Sequence, residues 1–218
     1  MVNILVFGAS NTYGCWDIEG GGWVNRLRKL VDEKNLREQL PLKHEEFYVY
    51  NLGISGDTTD WIIDRLEFEA LQRDAKEPGT IFIFALGFND ALLNKETNKP
   101  NTPPHKFQEN LEKIVNIAKK YSPIIIFVGP LPVDESRVDP VPWLPTHSYK
   151  NEFVGEYNEI TKSACKIAGV HFVDIYQKFI GSDYPKLLED GVHGNSEGHQ
   201  AIFETVRDYL TENKILDL

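Results

Sequence analysis

The sequence is poor in cysteine and has no hydrophobic run long enough to cross a bilayer as a helix. Its only cysteines are Cys15 and Cys165, which are too few for a disulfide framework and lack the spacing of a zinc site. The most apolar run, PIIIFVGPLP, is much shorter than the ~20 residues that a transmembrane helix needs. The first residues, MVNILVFG, contain no basic leader and no apolar segment of signal-peptide length. We therefore expect a cytoplasmic protein without structural disulfides or a membrane span.

Basic residues are also in the minority. The 218 residues include 23 Lys and Arg against 33 Asp and Glu, which gives a formal net charge of −10. Such a surface repels nucleic acid over most of its area, so we do not expect nucleic acid as a partner. A hydrophobic content of 41% at this length suits one domain with a sizeable core. We predict a single domain over residues 1–218, and the sequence carries no signal for an oligomeric state.

Short apolar runs alternate with segments of helical period along the chain. The runs that predict β-strands are NILVF from Asn3, FYVYNL from Phe47, TIFIFAL from Thr80, IIIFVG from Ile124 and VHFVDI from Val170. Several are continuously apolar, which is typical of strands covered on both faces in a parallel sheet. Apolar residues at helical spacing predict helices over about 23–31, 58–72, 107–118, 153–167 and 202–210. The alternation predicts an α/β fold with a doubly wound parallel sheet and right-handed crossovers.

Three residues near the two ends of the chain could form a catalytic group. FGASNTYG places Ser10 directly after the first predicted strand, and EDGVHGN places Asp190 three residues before His193. At that spacing the carboxylate can accept a hydrogen bond from one ring nitrogen, which leaves the other nitrogen free as a base. A serine hydroxyl needs such a base to act as a nucleophile. We therefore expect Ser10 to be the nucleophile, His193 its base and Asp190 the residue that orients the imidazole.

Three groups could stabilise the oxyanion that forms during acyl transfer. They are the backbone N–H of Ser10, the backbone N–H of Gly56 in GISGDTT, and the side-chain amide of Asn89 in GFND. Loops that follow parallel strands form sites at one sheet edge, where the strand order reverses. If the strand order is 2-1-3-4-5, the loops of Gly56 and Asn89 flank the loop of Ser10. Together these donors would form an oxyanion hole.

In these motifs the chain resembles the SGNH, or GDSL-type, hydrolases. FGAS is similar to the serine block of that family, NLGISGDT to its glycine block, GFND to its asparagine block and DGVH to its histidine block, and the blocks span residues 7–193. The resemblance implies a flavodoxin-like, three-layer α/β/α sandwich with a five-stranded parallel sheet. It also implies an esterase or lipase-like enzyme with a Ser-His-Asp mechanism that uses no metal or other cofactor.

Two motifs depart from the family pattern. In the serine block the family usually has an aspartate before the serine and a leucine or similar residue after it, where this chain has Ala9 and Asn11. Ala9 cannot accept hydrogen bonds, so we expect different bonding around the serine. In the histidine block Gly194 replaces the usual proline, and because glycine has more backbone freedom we expect a looser histidine loop.

Further residues have competing interpretations. His199 forms H-x5-H with His193, but no third ligand is close in sequence, so we predict no metal site. A Cys15 nucleophile would need neighbours that stabilise a thiolate, and we interpret Cys15 as a packed small residue. Trp143 lies in a proline-rich stretch over 130–145, which we expect to form a wall of the substrate pocket. A rigid surface loop is the alternative.

The leading hypothesis is a serine esterase acting on a small-molecule ester: a small acyl ester, an acetylated sugar, a lysophospholipid or a thioester. Taken alone, each motif could be an ordinary turn with a capping residue. Their joint occurrence in this order, each after its expected strand, favours catalysis. The alternatives are a non-catalytic ligand-binding module on the same fold, and an acyltransferase that uses the same groups.

Overall fold

The computed structural model of the protein describes residues 1–38, 46–73 and 79–217. The strands are β1 (Val2–Gly8), β2 (Phe47–Gly53), β3 (Gly79–Ala85), β4 (Leu93–Asn94), β5 (Lys99–Pro100), β6 (Ile124–Val128), β7 (His147–Ser148) and β8 (His171–Val173). The helices are α1 (Ser10–Tyr13), α2 (Trp23–Glu38), α3 (Thr59–Arg73), α4 (Pro104–Ala118), α5 (Glu135–Val138), α6 (Asn151–Ala168), α7 (Ile175–Phe179) and α8 (Ser196–Glu212), and a 3₁₀ turn spans Tyr184–Leu187.

The main sheet is parallel and has five strands in the order β2-β1-β3-β6-β8. These are the five strands that the sequence predicts, and their order is the 2-1-3-4-5 arrangement. Gly8 at the end of β1 pairs in register with Gly53 of β2 and with Ala85 of β3. The loops that follow these three strands therefore leave the sheet at the same edge.

Apolar side chains cover both faces of this sheet. All seven residues of β1 are buried, and their side chains alternate between the two faces. Leu5 and Phe7 belong to an apolar cluster with residues of α3, α4 and α6, whereas Ile4 and Val6 belong to a cluster with residues of α2 and α8. The molecule is thus a three-layer α/β/α sandwich, as the continuously apolar strands and the family resemblance predict.

Two small features have no counterpart in the sequence-based predictions. Strands β4, β5 and β7 form an antiparallel sheet in the order β5-β4-β7, and two-residue strands are too short to show an alternating pattern. Helix α5 interrupts the stretch over 130–145 that the sequence predicts as a loop. Its start is capped by the Asp134 carboxylate, which accepts the N–H of Ser136. Among the helices of the described residues, none is long and apolar enough to span a membrane.

Candidate active site

Ser10 lies at the sheet edge because a tight turn joins β1 to α1. Strand β1 ends at Gly8 and α1 begins at Ser10. A Cβ atom at Gly8 would stand 2.1 Å from the hydroxyl oxygen of Thr12 and 2.7 Å from the carbonyl oxygen of Ala85, so glycine is needed for this close approach. Helix α1 ends at Tyr13 and is followed by Gly14, whose φ of 101° is left-handed and is typical of a glycine helix cap.

Hydrogen bonds join Ser10, His193 and Asp190 in a chain. The Nε2 atom of His193 lies 2.8 Å from the Ser10 Oγ atom, and its Nδ1 atom lies 2.7 Å from the Oδ2 atom of Asp190. Because an ionised carboxylate only accepts hydrogen bonds, Nδ1 carries the proton and Nε2 can accept the Ser10 hydroxyl proton. This arrangement can activate a hydroxyl group as a nucleophile.

The Asp190 carboxylate is oriented by its own loop. Its Oδ1 atom accepts the N–H groups of Val192 at 3.0 Å and His193 at 2.9 Å. Burial favours a higher pKa for Asp190, but these hydrogen bonds and the neighbouring imidazole outweigh it and hold the pKa below its ordinary value. The adjacent Gly191 has a φ of 94°, and a Cβ atom there would stand 2.9 Å from side chains of α5. The loop therefore presents an ionised carboxylate to the imidazole.

The side chain of Asn11 ties the serine loop to the histidine loop. Its Oδ1 atom accepts the N–H of Gly194 at 3.1 Å, and its Nδ2 atom lies 3.5 Å from the carbonyl oxygen of Val192. These two residues flank His193, so Asn11 holds the segment that presents the imidazole. The expectation that Gly194 loosens this loop does not hold, because Gly194 is buried and donates an N–H that proline lacks.

Replacing Asn11 with alanine is expected to lower the free energy of unfolding by about 1–3 kcal/mol, because the buried N–H of Gly194 loses its acceptor. Urea unfolding followed by circular dichroism measures the change. Asn116, which is exposed on α4, provides the matched control, and Asn116→Ala should change stability by less than about 0.5 kcal/mol. An Asn11→Ala variant as stable as the wild type would show that this contact does not hold the two loops together.

Asn89 follows β3, and both ends of its amide are held. The Nδ2 atom donates to the carbonyl oxygen of Asp57 at 3.0 Å, and the Oδ1 atom accepts from the hydroxyl of Tyr149 at 2.9 Å. A backbone carbonyl only accepts, so the Asp57 contact defines which end of the amide is the nitrogen. Nδ2 has a second N–H, which is available to a ligand in the cavity that Asn89 and Ser10 both line.

Gly56 lies in the exposed turn after β2 and has a φ of 89°. A Cβ atom there would meet nothing within 4 Å, so glycine suits the position through its left-handed backbone rather than through crowding. The turn is tied to its neighbours on both sides. The N–H of Ile54 donates to the carbonyl oxygen of Gly8 at 3.0 Å, and Asp57 accepts the bond from Asn89. The loops of Gly56 and Asn89 are thus both bonded beside the end of β1.

A small cavity opens beside Ser10 and Asn89. Its volume is about 40 Å³. Most of its lining is apolar and includes Leu86, Phe88 and Leu131. The cavity can therefore accept a small apolar group next to the Ser10 hydroxyl.

Two exposed tryptophans stand beside the imidazole of His193. The ring centroid of Trp143, the residue predicted to line the pocket, lies 6.1 Å from that of His193 at an interplanar angle of 30°. Trp16 lies at the same distance with its ring at 88°, and its indole N–H donates to Asp190 Oδ2 at 2.8 Å. Sequence reasoning missed Trp16, because no motif or period marks it.

His199 is buried in the first turn of α8, and both of its ring nitrogens contact backbone groups. Nε2 lies 3.0 Å from the carbonyl oxygen of Cys15, and Nδ1 accepts the N–H of Trp23 at 3.3 Å. Burial lowers the pKa of His199 and favours the neutral ring.

The two cysteines lie in different surroundings. The Cys15 thiol lies 3.7 Å from the Ser55 hydroxyl. Burial raises the pKa of the Cys165 thiol to about 12. Among residues 1–38, 46–73 and 79–217, no cluster of three or more His, Cys, Asp or Glu side chains could hold a metal ion.

The sandwich fold, with these side chains at the edge of its sheet, defines a hydrolase of the GDSL class. The model of the GDSL-like Lipase/Acylhydrolase family matches residues 6–201, and the chain belongs to this family. It is accordingly a hydrolase that acts on ester bonds. The family match confirms the resemblance inferred from the sequence motifs, and the strand order confirms the predicted fold.

Particular relatives cover nearly the whole chain. It is 28% identical to an uncharacterized lipoprotein of Bacillus subtilis, over 94% of this chain and 88% of that protein. It is 25% identical to a GDSL esterase/lipase of Arabidopsis thaliana, over 96% of this chain and 85% of that protein. The solved structure of a lipase/acylhydrolase from Enterococcus faecalis is similar with a TM-score of 0.71 and 24% identity, and the match covers 98% and 97% of the two chains.

Proposed function

We propose that the protein is a serine esterase in which Ser10 is the nucleophile, His193 the general base and acid, and Asp190 the group that orients the imidazole. One observation carries the proposal: the unbroken chain of hydrogen bonds from Ser10 Oγ through both nitrogens of His193 to Asp190, with distances of 2.8 and 2.7 Å. The ionised state of Asp190, favoured by its lowered pKa, supports these roles.

The reaction has two halves that use the same groups. In the first, Ser10 Oγ attacks the ester carbonyl carbon while its proton moves to His193 Nε2, and the imidazolium then gives that proton to the departing alcohol. This leaves the acyl group bonded to Ser10. In the second, water gives a proton to Nε2 as it attacks the acyl carbon, and the proton returns to Ser10 when the acid leaves. Asp190 stays ionised and stabilises the imidazolium throughout.

The oxyanion of each tetrahedral intermediate is stabilised by the N–H of Ser10, the N–H of Gly56 and the amide of Asn89. Ser10 is the first residue of α1, so its N–H has no acceptor within that helix. Gly56 and Asn89 belong to the loops that are bonded beside the end of β1. These donors are fixed before the substrate arrives, and such preorganised donors are effective in transition-state stabilisation.

Replacing Asn89 with alanine is expected to lower kcat of ester hydrolysis by about 10²- to 10³-fold, because one oxyanion donor is lost. Steady-state kinetics with p-nitrophenyl acetate measure the change. Tyr149→Phe is the informative comparison, because it removes only the hydroxyl that holds Asn89 Oδ1, and we expect a much smaller decrease. Equal kcat values for Asn89→Ala and the wild type would exclude Asn89 from the oxyanion site.

The preferred substrate is an ester with a short acyl group. The cavity beside Ser10 has a volume of about 40 Å³, a few times the ~10–15 Å³ that one water molecule requires on the same kind of measure. That space suits an acyl group of a few heavy atoms. Trp143, predicted from the sequence to form a wall of the pocket, is not among the residues that line this cavity; it lies exposed beside His193, where it would contact the alcohol part of the ester. An acetylxylan esterase from Geobacillus stearothermophilus shares this fold, with a TM-score of 0.68 and 19% identity over 94% and 92% of the chains.

A panel of p-nitrophenyl esters from acetate to palmitate tests this function on the purified protein. We expect hydrolysis with kcat/KM highest for acetate or butyrate and falling for longer chains. Product analysis with an added alcohol separates hydrolysis from acyl transfer, because a transferase would form the new ester at the expense of the free acid. Absence of turnover across the panel would reject an esterase for these substrates and favour a binding module.

A further inference from the structure

Trp16 contacts the same carboxylate oxygen that holds the imidazole. The indole N–H donates to Asp190 Oδ2 at 2.8 Å, and His193 Nδ1 lies 2.7 Å from that same atom. Since Asp190 Oδ1 accepts two backbone N–H groups, Trp16 supplies the fourth hydrogen bond to this carboxylate. The indole Nε1 atom also lies 3.2 Å from His193 Nδ1, and the planes of the two rings meet at 88°. Trp16 therefore restrains both partners of the Asp190–His193 pair.

The backbone at Trp16 is held in an unfavourable conformation. Its φ of 69° lies in the left-handed region, which is strained for a bulky residue and persists only where the surroundings impose it. The residues on both sides are fixed: the carbonyl of Cys15 contacts His199, and the buried Asp17 carboxylate binds the guanidinium of Arg26 at 2.8 Å and the hydroxyl of Ser196. These contacts hold a conformation that brings the indole N–H to Asp190.

We propose that Trp16 is a positioning residue for the Asp190–His193 pair, acting through its hydrogen bond to Asp190 Oδ2; this rests on the serine esterase mechanism proposed above. The side chain of Asp190 is 23% exposed, so without the indole a water molecule can approach Oδ2. Such a water competes with His193 Nδ1 for Oδ2, while Oδ1 stays bonded to its two backbone N–H groups. The imidazole then spends less time in the orientation that removes the Ser10 proton, and both halves of the reaction slow down.

The variant Trp16→Phe tests this proposal because it keeps an aromatic ring beside His193, although a smaller one, and removes the N–H donor. We expect kcat with p-nitrophenyl acetate to fall about 5- to 10-fold while KM changes by less than about twofold. Trp61→Phe removes an indole N–H from another exposed tryptophan, on α3, and should match the wild type. Unchanged kcat in Trp16→Phe, or a raised KM at unchanged kcat, would overturn the proposal; the latter result indicates a substrate contact instead.

A double-mutant cycle with Asp190→Ala shows whether Trp16 acts through the carboxylate. The Asp190→Ala background lacks the carboxylate that accepts the indole N–H at 2.8 Å and keeps only the longer 3.2 Å contact with His193 Nδ1, so we expect Trp16→Phe to have a much smaller effect on kcat there. An equal fold decrease in both backgrounds would overturn the proposal, because Trp16 would then act independently of Asp190. Failure of the serine mechanism has a different signature: Ser10→Ala would retain full activity, whatever the result at Trp16.

Discussion

Replacing Ser10 with alanine is expected to lower kcat of ester hydrolysis by about 10⁴- to 10⁶-fold. In the proposed mechanism, the substitution removes the protein atom that bonds to the acyl carbon. It leaves the backbone N–H of residue 10, Asn89 and the cavity in place, so substrate binding should be largely retained. Rates measured with p-nitrophenyl acetate, after subtraction of spontaneous hydrolysis, give the size of the loss.

A matched serine substitution makes this result specific. Ser163 is exposed on α6, away from the loops of the site, and Ser163→Ala should leave kcat and KM unchanged. Thermal unfolding of Ser10→Ala should stay close to that of the wild type, because only one partly exposed hydroxyl is removed. A folded Ser10→Ala protein with wild-type turnover would contradict the assigned nucleophile.

His193→Ala is expected to cause a loss of the same order, about 10⁴- to 10⁶-fold in kcat. Without the imidazole, no group at hydrogen-bonding distance takes the Ser10 proton or protonates the departing alcohol. Because the two residues act as one unit, the double variant Ser10→Ala/His193→Ala should be no slower than either single variant. Steady-state kinetics on the three variants provide the comparison.

The control for this second substitution is His105→Ala, since His105 is exposed at the start of α4 and should not affect turnover. Additive losses in the double variant, or a His193→Ala protein within about tenfold of the wild type, would be incompatible with a proton shared between Ser10 and His193.

The main sheet was predictable because its central strands β1, β3 and β6 are buried on both faces. Runs such as IIIFVG stay apolar at every position, and the chain alternates them with helical periods, which restricts the topology to few arrangements. The strand order then accounts for much of the site. Ser10, Gly56 and Asn89 each follow a strand of the central group, so the topology brings their loops to one edge.

The contact between Ser10 and His193 could not be predicted from the local sequence pattern alone, because the two residues are 183 positions apart. The three-residue spacing of Asp190 and His193 indicates that these two can pair, and the order of the four blocks indicates that they meet the serine. The family resemblance contributed this last step.

The contacts of Trp16 and Asn11 could not be predicted from the sequence, and the reasons are physical. The indole reaches Asp190 only because the backbone at Trp16 is left-handed, and neighbouring residues that are distant in sequence impose that conformation. Asn11 meets Gly194 only after two loops have docked. In the sequence, Asn11 and Gly194 are separate departures from the family pattern. In the structure they are bonded to each other, because Asn11 Oδ1 accepts the N–H of Gly194.

The most direct test of the central claim is the site of covalent labelling by a fluorophosphonate, mapped by peptide mass spectrometry. The hydrogen-bonded chain from Ser10 to Asp190 predicts one equivalent of adduct on the peptide that contains Ser10, loss of esterase activity in proportion to labelling, and almost no adduct in His193→Ala. An adduct on a different serine, or an active enzyme that the reagent does not modify, would contradict it.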